Sequence, residues 1–197
     1  FWRWPGRGHL GHYALLGLAV SLWFEFIFAG ANWITSQHAM RVRVHLDVET
    51  RTPLVPAAVL GYTSIYLLFG AIPFVLHTRR ELRALAATLA AVMLVAGVCF
   101  LVFPAASAFP PTGDMGAWDG PVRFTRWVAL PNNLVPSLHV ALAVVCVAVF
   151  ACHAGQSGKV LLWLWAAVIA ASTLLLHQHY LLDVVTGLAL GLAGVRW

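Results

Sequence analysis

Charge is scarce in this sequence. Only 10% of its 197 residues are Asp, Glu, Lys or Arg, against roughly 25% in a soluble domain. That excludes a solvated globular surface. Cysteine is scarce too. Cys99, Cys146 and Cys152 all fall in or at the end of apolar segments. An odd number of such residues, without a CxxC pair, provides neither a disulfide framework nor a thiolate metal site. They read as small packing residues. There is also no basic run. The net charge of +5 comes from residues scattered over loops and ends, which is no nucleic-acid signature. Such charges report membrane topology and contact with anionic headgroups.

What the sequence has in abundance is apolar surface. Hydrophobic residues make up 61% of it, and its mean hydropathy is +0.83. Six apolar segments stand out, at about 10–30, 54–76, 84–103, 134–152, 160–176 and 180–195. Backbone groups find no water in hydrocarbon, so such segments are helices or a closed barrel. Continuous runs argue for helices, because barrel strands alternate. The expected fold is an all-α integral membrane protein: one domain over 1–197, built as a six-transmembrane-helix bundle. The last three segments are short against the roughly 20 residues of a full span. Either they extend into polar flanks, or their polar ends dip toward the membrane and form a site. The apolar stretch from His9 to Ala31 is too long for a signal-peptide core and reads as a span. The sequence opens on Phe1 rather than Met, so a trimmed N-terminus is expected. Gly187 and Gly191, four apart, make a small-xxx-small pattern for close helix packing.

The loops predict sidedness. Arg3, Arg7, Arg79, Arg80, Arg83, Lys159 and Arg196 fall on one side, with Glu81 as the single acid. The other side balances five arginines against five acids. The positive-inside rule then makes both termini cytoplasmic. The outward connections, 31–53 and 104–131, are the longer ones. The first alternates over Arg41 to Glu49 and reads as an extended ribbon or an interfacial segment. The second is rich in Pro, Gly and aromatics and suits a cap at the membrane surface.

Ionisable residues within membrane segments are functional candidates. Pro136-Ser137-Leu138-His139 opens the fourth segment on the outer side. Its helix start suits anions, and His139 sits where it could donate a proton. His177-Gln178-His179 and Asp183 open the sixth segment on the same side. The four-residue spacing of His179 and Asp183 predicts a shared helix face. A carboxylate beside an imidazole selects its tautomer and orients it as a nucleophile or base. The loop carrying Arg123 and Arg126 lies on that side too. Two imidazoles, a carboxylate, helix N-termini and cations at one depth are a constellation for phosphoryl transfer. Taken singly, each residue is better read as an interfacial contact or a helix-end charge. Glu25 lies within the first segment with no evident partner, and packing is as good a reading for it as function.

These paired motifs resemble the type-2 phosphatidic acid phosphatase superfamily, whose pattern is PSGH followed by SR-x5-H-x3-D. Pro136-Ser137-Leu138-His139 and His177-Gln178-His179-Tyr180 to Asp183 are similar to the branch of inositol phosphorylceramide and sphingomyelin synthases. They are also similar to its bacterial six-helix relatives, as are 53–83 and Asn133 before the first motif. The resemblance implies that His179 attacks phosphorus to form a phosphohistidine. It implies that Asp183 orients His179 and that His139 protonates the leaving oxygen. Ser137, Thr173, Asn133 and Gln178 would line the phosphate site. The substrate would be a lipid phosphate or phospholipid, with no metal and no cofactor required. The setting would be a bacterial inner membrane with the site facing the periplasm. Two departures stand out. Thr173, after Ser172, replaces the pattern's Arg, and the basic K-x6-RP motif is missing where 103–111 stand. Arg123 and Arg126 are the first candidates to meet phosphate charge, with Arg41, Arg43 and Arg51 behind them. Otherwise the substrate carries less charge, as a phosphodiester does. Trp33, Phe109, Trp118 and Trp127 would suit an amphiphile if they converge. Two other classes remain open: a metal-binding or transport protein using His139, His177, His179 and Asp183, and an inactive relative.

Overall fold

The computed structural model describes residues 2–196. Its helices are α1 (Arg7–Ser36), α2 (Val59–Thr63), α3 (Ile65–Val75), α4 (Arg79–Val102), α5 (Asp119–Ala129), α6 (Leu138–His153), α7 (Gln156–Leu175) and α8 (Leu181–Gly194). Four helical stretches are long and apolar enough to cross a membrane: Arg7–Ser36, Pro56–Val75, Arg79–Val102 and Gln156–Leu175. The apolar helices α6 and α8 are shorter. All six apolar segments are thus helical, though the second is interrupted. Ser64 breaks it between α2 and α3. Its hydroxyl donates to the Gly61 carbonyl at 2.6 Å and accepts the Trp165 indole N–H at 2.8 Å.

Helix α6 is the centre of the bundle. It is apolar all round, as a helix enclosed by protein should be, and packs against α3, α4, α7 and α8. Ala141, Val145, Cys146 and Val147 are fully buried. Helix α1 lies outside, packed chiefly on α4. A helix enclosed by others need not reach across the whole layer itself, because non-helical chain at its end can be satisfied by protein. Asn132, Asn133, Leu134, Pro136 and Ser137, just before α6, are buried in this way.

The two ends of the bundle differ. At one, Arg3 N–H donates to the Phe74 carbonyl at 3.0 Å and His9 Nε2 to the Leu76 carbonyl at 2.8 Å. His153 Nε2 meets Glu81 there at 3.2 Å. At the other, Asn132 Nδ2 donates to Asn32 Oδ1 at 3.1 Å and Val55 N–H to the Leu175 carbonyl at 2.9 Å. The connections expected to lie together on one side do gather at this second end.

The alternating stretch 41–49 forms no ribbon. It makes one isolated bridge, Val42 with Ala105, closed by Val42 N–H donating to the Pro104 carbonyl at 2.8 Å. Pro104 has no N–H to continue a ladder. The 104–131 connection holds a helix, α5, that the sequence reading did not anticipate.

At the first end, α4 begins with a reciprocal cap. Thr78 Oγ1 accepts Glu81 N–H at 3.1 Å, and Glu81 Oε2 accepts Thr78 N–H at 2.8 Å. Loss of such a cap costs about 1 kcal/mol. Thr78→Ala is therefore expected to lower the melting temperature in detergent by a few degrees without changing activity. An unchanged melting curve would show that the cap contributes nothing.

Candidate active site

The site begins where α6 and α8 begin. Ser137 is the N-cap of α6, its hydroxyl accepting Val140 N–H at 3.4 Å, so it serves the helix start. Pro136 stands just outside the helix rather than in its first turn, and His139 is the second helical residue. Ser137 N–H donates to the Asp183 carbonyl at 2.8 Å, joining the starts of the two helices. Gly187 and Gly191 make that approach possible. A Cβ on Gly187 would collide with the Ser137 carbonyl oxygen, and one on Gly191 would lie 2.7 Å from the Ala141 carbonyl oxygen. The small-xxx-small pattern thus packs α8 onto α6 at the site.

His179 and Asp183 meet, though not on a shared helix face. His179 precedes Tyr180, the N-cap of α8, while Asp183 lies in the first turn. Asp183 is completely buried. Its Oδ2 accepts Tyr180 N–H at 2.8 Å and lies 3.2 Å from His179 Nδ1. Its Oδ1 is buried without a partner. A carboxylate can only accept, so Nδ1 carries the proton and Nε2 presents its lone pair. His179 Nε2 makes no hydrogen bond among the described residues.

His139 is held differently. Its Nε2 donates to the Tyr62 carbonyl at 2.9 Å, and its ring stacks on that of Tyr62 with centroids 3.9 Å apart. Nδ1 is left to carry any exchangeable proton. His139, His179, Asn133, Tyr62 and Thr125 line one cavity of about 590 Å³ that continues between α1, α3 and α4.

The remaining predicted residues divide. Asn133 is buried on the cavity wall, its Nδ2 donating to the Phe28 carbonyl at 2.7 Å. Gln178 donates to Thr125 Oγ1 at 3.4 Å. Thr173 spends its hydroxyl within α7, on the Ala170 carbonyl at 2.7 Å, while its own carbonyl accepts the N–H of Gln178 and of His179. It shapes the loop rather than facing the cavity. Arg123 and Arg126 line a separate recess with Pro111 and Thr112. Arg123 is exposed and paired with Asp119 at 2.5 Å, which raises its pKa. Arg126 donates to Thr112 Oγ1 and the Leu176 carbonyl. Burial lowers its pKa, and the charge of Arg123 adds to that. Arg41 donates to the Thr35 carbonyl and Arg43 pairs with Asp47. No Lys or Arg lines the cavity among the described residues. Trp33 and Trp127 are exposed, and the four expected aromatics do not converge on the cavity.

His177 stands apart from the pair, in a left-handed backbone conformation with φ 57°. It donates to the Thr52 carbonyl at 2.8 Å and stacks on Phe109. Burial lowers its pKa; the Thr52 hydrogen bond opposes this and the Arg126 charge adds to it. Sequence reasoning missed Tyr62 and Tyr180 as site residues. Tyr180 is fully buried, its phenol oxygen accepting Ala108 N–H at 2.7 Å. The only available signal was a tyrosine in an apolar run. Among the described residues no three His, Cys, Asp or Glu side chains form a ligand cluster.

The family model of the PAP2 superfamily matches residues 40–197. The chain belongs to the PAP2 superfamily. Membership points to a membrane enzyme of the phosphatase type that acts on lipid phosphates. The PAP2 match covers all the residues of both motifs and leaves the whole of α1 outside it. No curated protein and no solved structure matches the chain.

Proposed function

We propose that this PAP2 protein is a lipid phosphatase or phospho-headgroup transferase that works through a phosphohistidine on His179. The observation that carries the reading is the buried Asp183 beside His179 Nδ1, which leaves Nε2 free toward the cavity shared with His139. His179 Nε2 attacks phosphorus; the P–N bond forms and the P–O bond to the leaving group breaks. His139, its Nε2–H held by Tyr62, takes up a proton at Nδ1 when the phosphate anion binds beside it and gives that proton to the leaving oxygen. Water or an alcohol then attacks phosphorus, loses its proton to His139 and releases His179. Asp183 stabilises the cationic imidazole in both steps.

The absence of Lys and Arg from the described cavity wall favours a substrate with low phosphate charge. A phosphodiester headgroup, as in the inositol phosphorylceramide synthase-like branch, fits that better than a dianionic monoester. Asn133 and Gln178 sit beside the pair and would contribute polar contacts, while Ser137 and Thr173 support the chain around it. Arg123 and Arg126 would act only on a headgroup large enough to reach their recess. In this reading α6 and α8 complete a six-helix bundle with both termini cytoplasmic, and the site opens at the outer face of the membrane, which is a bacterial inner membrane.

The test is turnover by purified protein in detergent with EDTA present. Substrates are phosphatidic acid, a polyprenyl phosphate, a ceramide-type phosphate, and phosphatidylinositol with a lipid alcohol. Turnover that survives chelation is expected, and the product separates hydrolysis from transfer. His139→Ala should slow it by about 10²- to 10⁴-fold, least for substrates with the best leaving groups. Activity that disappears with EDTA and returns with a divalent ion would overturn the reading and favour a metal site.

A further inference from the structure

Glu25 of α1 lines the same cavity as His139 and His179. It makes no hydrogen bond and no ion pair among the described residues. The wall around it is apolar and aromatic, with Phe24, Phe28, Tyr66 and Phe69 among its members. Ser21, one turn away on the same helix face, is the nearest polar side chain of α1 on that wall. A carboxylate within a spanning segment is costly unless something partners it.

Helix α1 is pinned on both sides of Glu25. Tyr13 hydroxyl donates to the Phe69 carbonyl at 2.9 Å, toward one end. Asn133 Nδ2 donates to the Phe28 carbonyl at 2.7 Å, toward the other. Trp23 Nε1 holds α1 to α4 through the Ala90 carbonyl at 3.0 Å. These contacts hold Ser21 and Glu25 on the wall of the slit between α1, α3 and α4. Glu25 lies about one turn along α1 from Phe28, on the wall of the cavity that the histidine pair also lines.

We infer that Glu25 and Ser21 form a binding subsite for the hydroxyl of a long-chain lipid alcohol. The slit takes the hydrocarbon chain and the Glu25 carboxylate accepts the hydroxyl hydrogen bond. An anionic group is disfavoured beside Glu25, because the carboxylate repels it and no Lys or Arg lines the described wall. A plain hydrocarbon leaves the carboxylate without a partner. A neutral donor on a long chain satisfies both conditions. Held in the cavity that the histidine pair also lines, such an alcohol is either the acceptor or the released product of the reaction proposed above. The inference rests on that reading only for taking the cavity as the lipid site.

The test needs no turnover. Hexadecane-1,2-diol and its dimethyl ether are each offered to the full chain in detergent, and bound copies are counted by native mass spectrometry. The ether keeps the chain and loses both donors. The diol is expected to show about tenfold greater retention, since a hydrogen bond to a charged group is worth at least about 1.4 kcal/mol. Glu25→Leu should abolish that preference while retaining ether binding, which also reports a folded protein. Glu25→Gln, still an acceptor, should keep part of it, and Ser21→Ala should reduce it. His179→Ala should keep all of it even where turnover is lost, so failure of the phosphohistidine reading is scored separately. Equal retention of diol and ether by the unaltered protein would overturn the inference. So would a preference undiminished in Glu25→Leu.

Discussion

His179→Ala is expected to lower turnover at least about 10³-fold, whatever the lipid. The expectation comes from removing the nucleophile itself, whose Nε2 is the free nitrogen of the buried pair. Asp183→Asn should cost about 10² to 10⁴. An amide at 183 can still accept Tyr180 N–H, but it no longer stabilises a cationic imidazole or enforces the Nδ1–H tautomer. The two substitutions also differ in what accumulates. Rapid quenching of the unaltered protein with radiolabelled substrate should trap acid-labile, base-stable phosphate on the chain. Neither variant should trap as much, and His179→Ala should trap none. Undiminished label in His179→Ala would place the intermediate on another residue, and undiminished turnover would remove His179 from the chemistry altogether.

Gly187→Ala is expected to damage both stability and activity, though it touches no reacting group. The added Cβ meets the Ser137 carbonyl oxygen, a backbone atom that cannot rotate aside. Helix α8 must therefore retreat from α6. That strains the hydrogen bond from Ser137 N–H to the Asp183 carbonyl. Overpacking of this kind costs about 1–3 kcal/mol. A shift of about 1 Å between His139 and His179 is enough to cost roughly 10²-fold in rate. Gly70→Ala is the matched control, because nothing lies within 4 Å of its Cβ position. Melting temperature and turnover measured on both should separate them clearly. Equal, small effects would mean that α6 and α8 have room to spare and that the glycines are incidental.

Much of the architecture is legible in composition. The six apolar runs are helices because a backbone surrounded by apolar groups has to satisfy its own hydrogen bonds. That rule acts on each segment alone and needs no tertiary information. The meeting of His179 with Asp183 is also nearly local. Their spacing was read as a helix face, yet the helix starts after His179, and the pair meets because the Asp183 carboxylate turns back over the N-terminus to Tyr180 N–H. The right contact was anticipated through a slightly wrong local geometry.

The cations show the opposite case. Arg123 and Arg126 share the site's end of the bundle, and a topological argument can carry them no further. Their helix α5 was not expected, and its rotation decides that they line a recess with Thr112 rather than the cavity wall. Tyr62 is similar. Its carbonyl and ring hold His139 only because α2 breaks from α3 at Ser64 and packs beside α6 and α7.

By itself, then, the sequence determined the helical segments, the alternation that collects the long connections at one end, and the pairing of a histidine with a carboxylate across four residues. Each follows from backbone geometry or from the cost of placing polar groups in hydrocarbon, and both act over short stretches of chain. Only the tertiary structure decided that Gly187 brings α8 against Ser137, that His139 turns to Tyr62, and that α1 leaves a slit with Glu25 on its wall. Those outcomes depend on which helix faces interlock, and interlocking is a matter of shape between segments tens of residues apart.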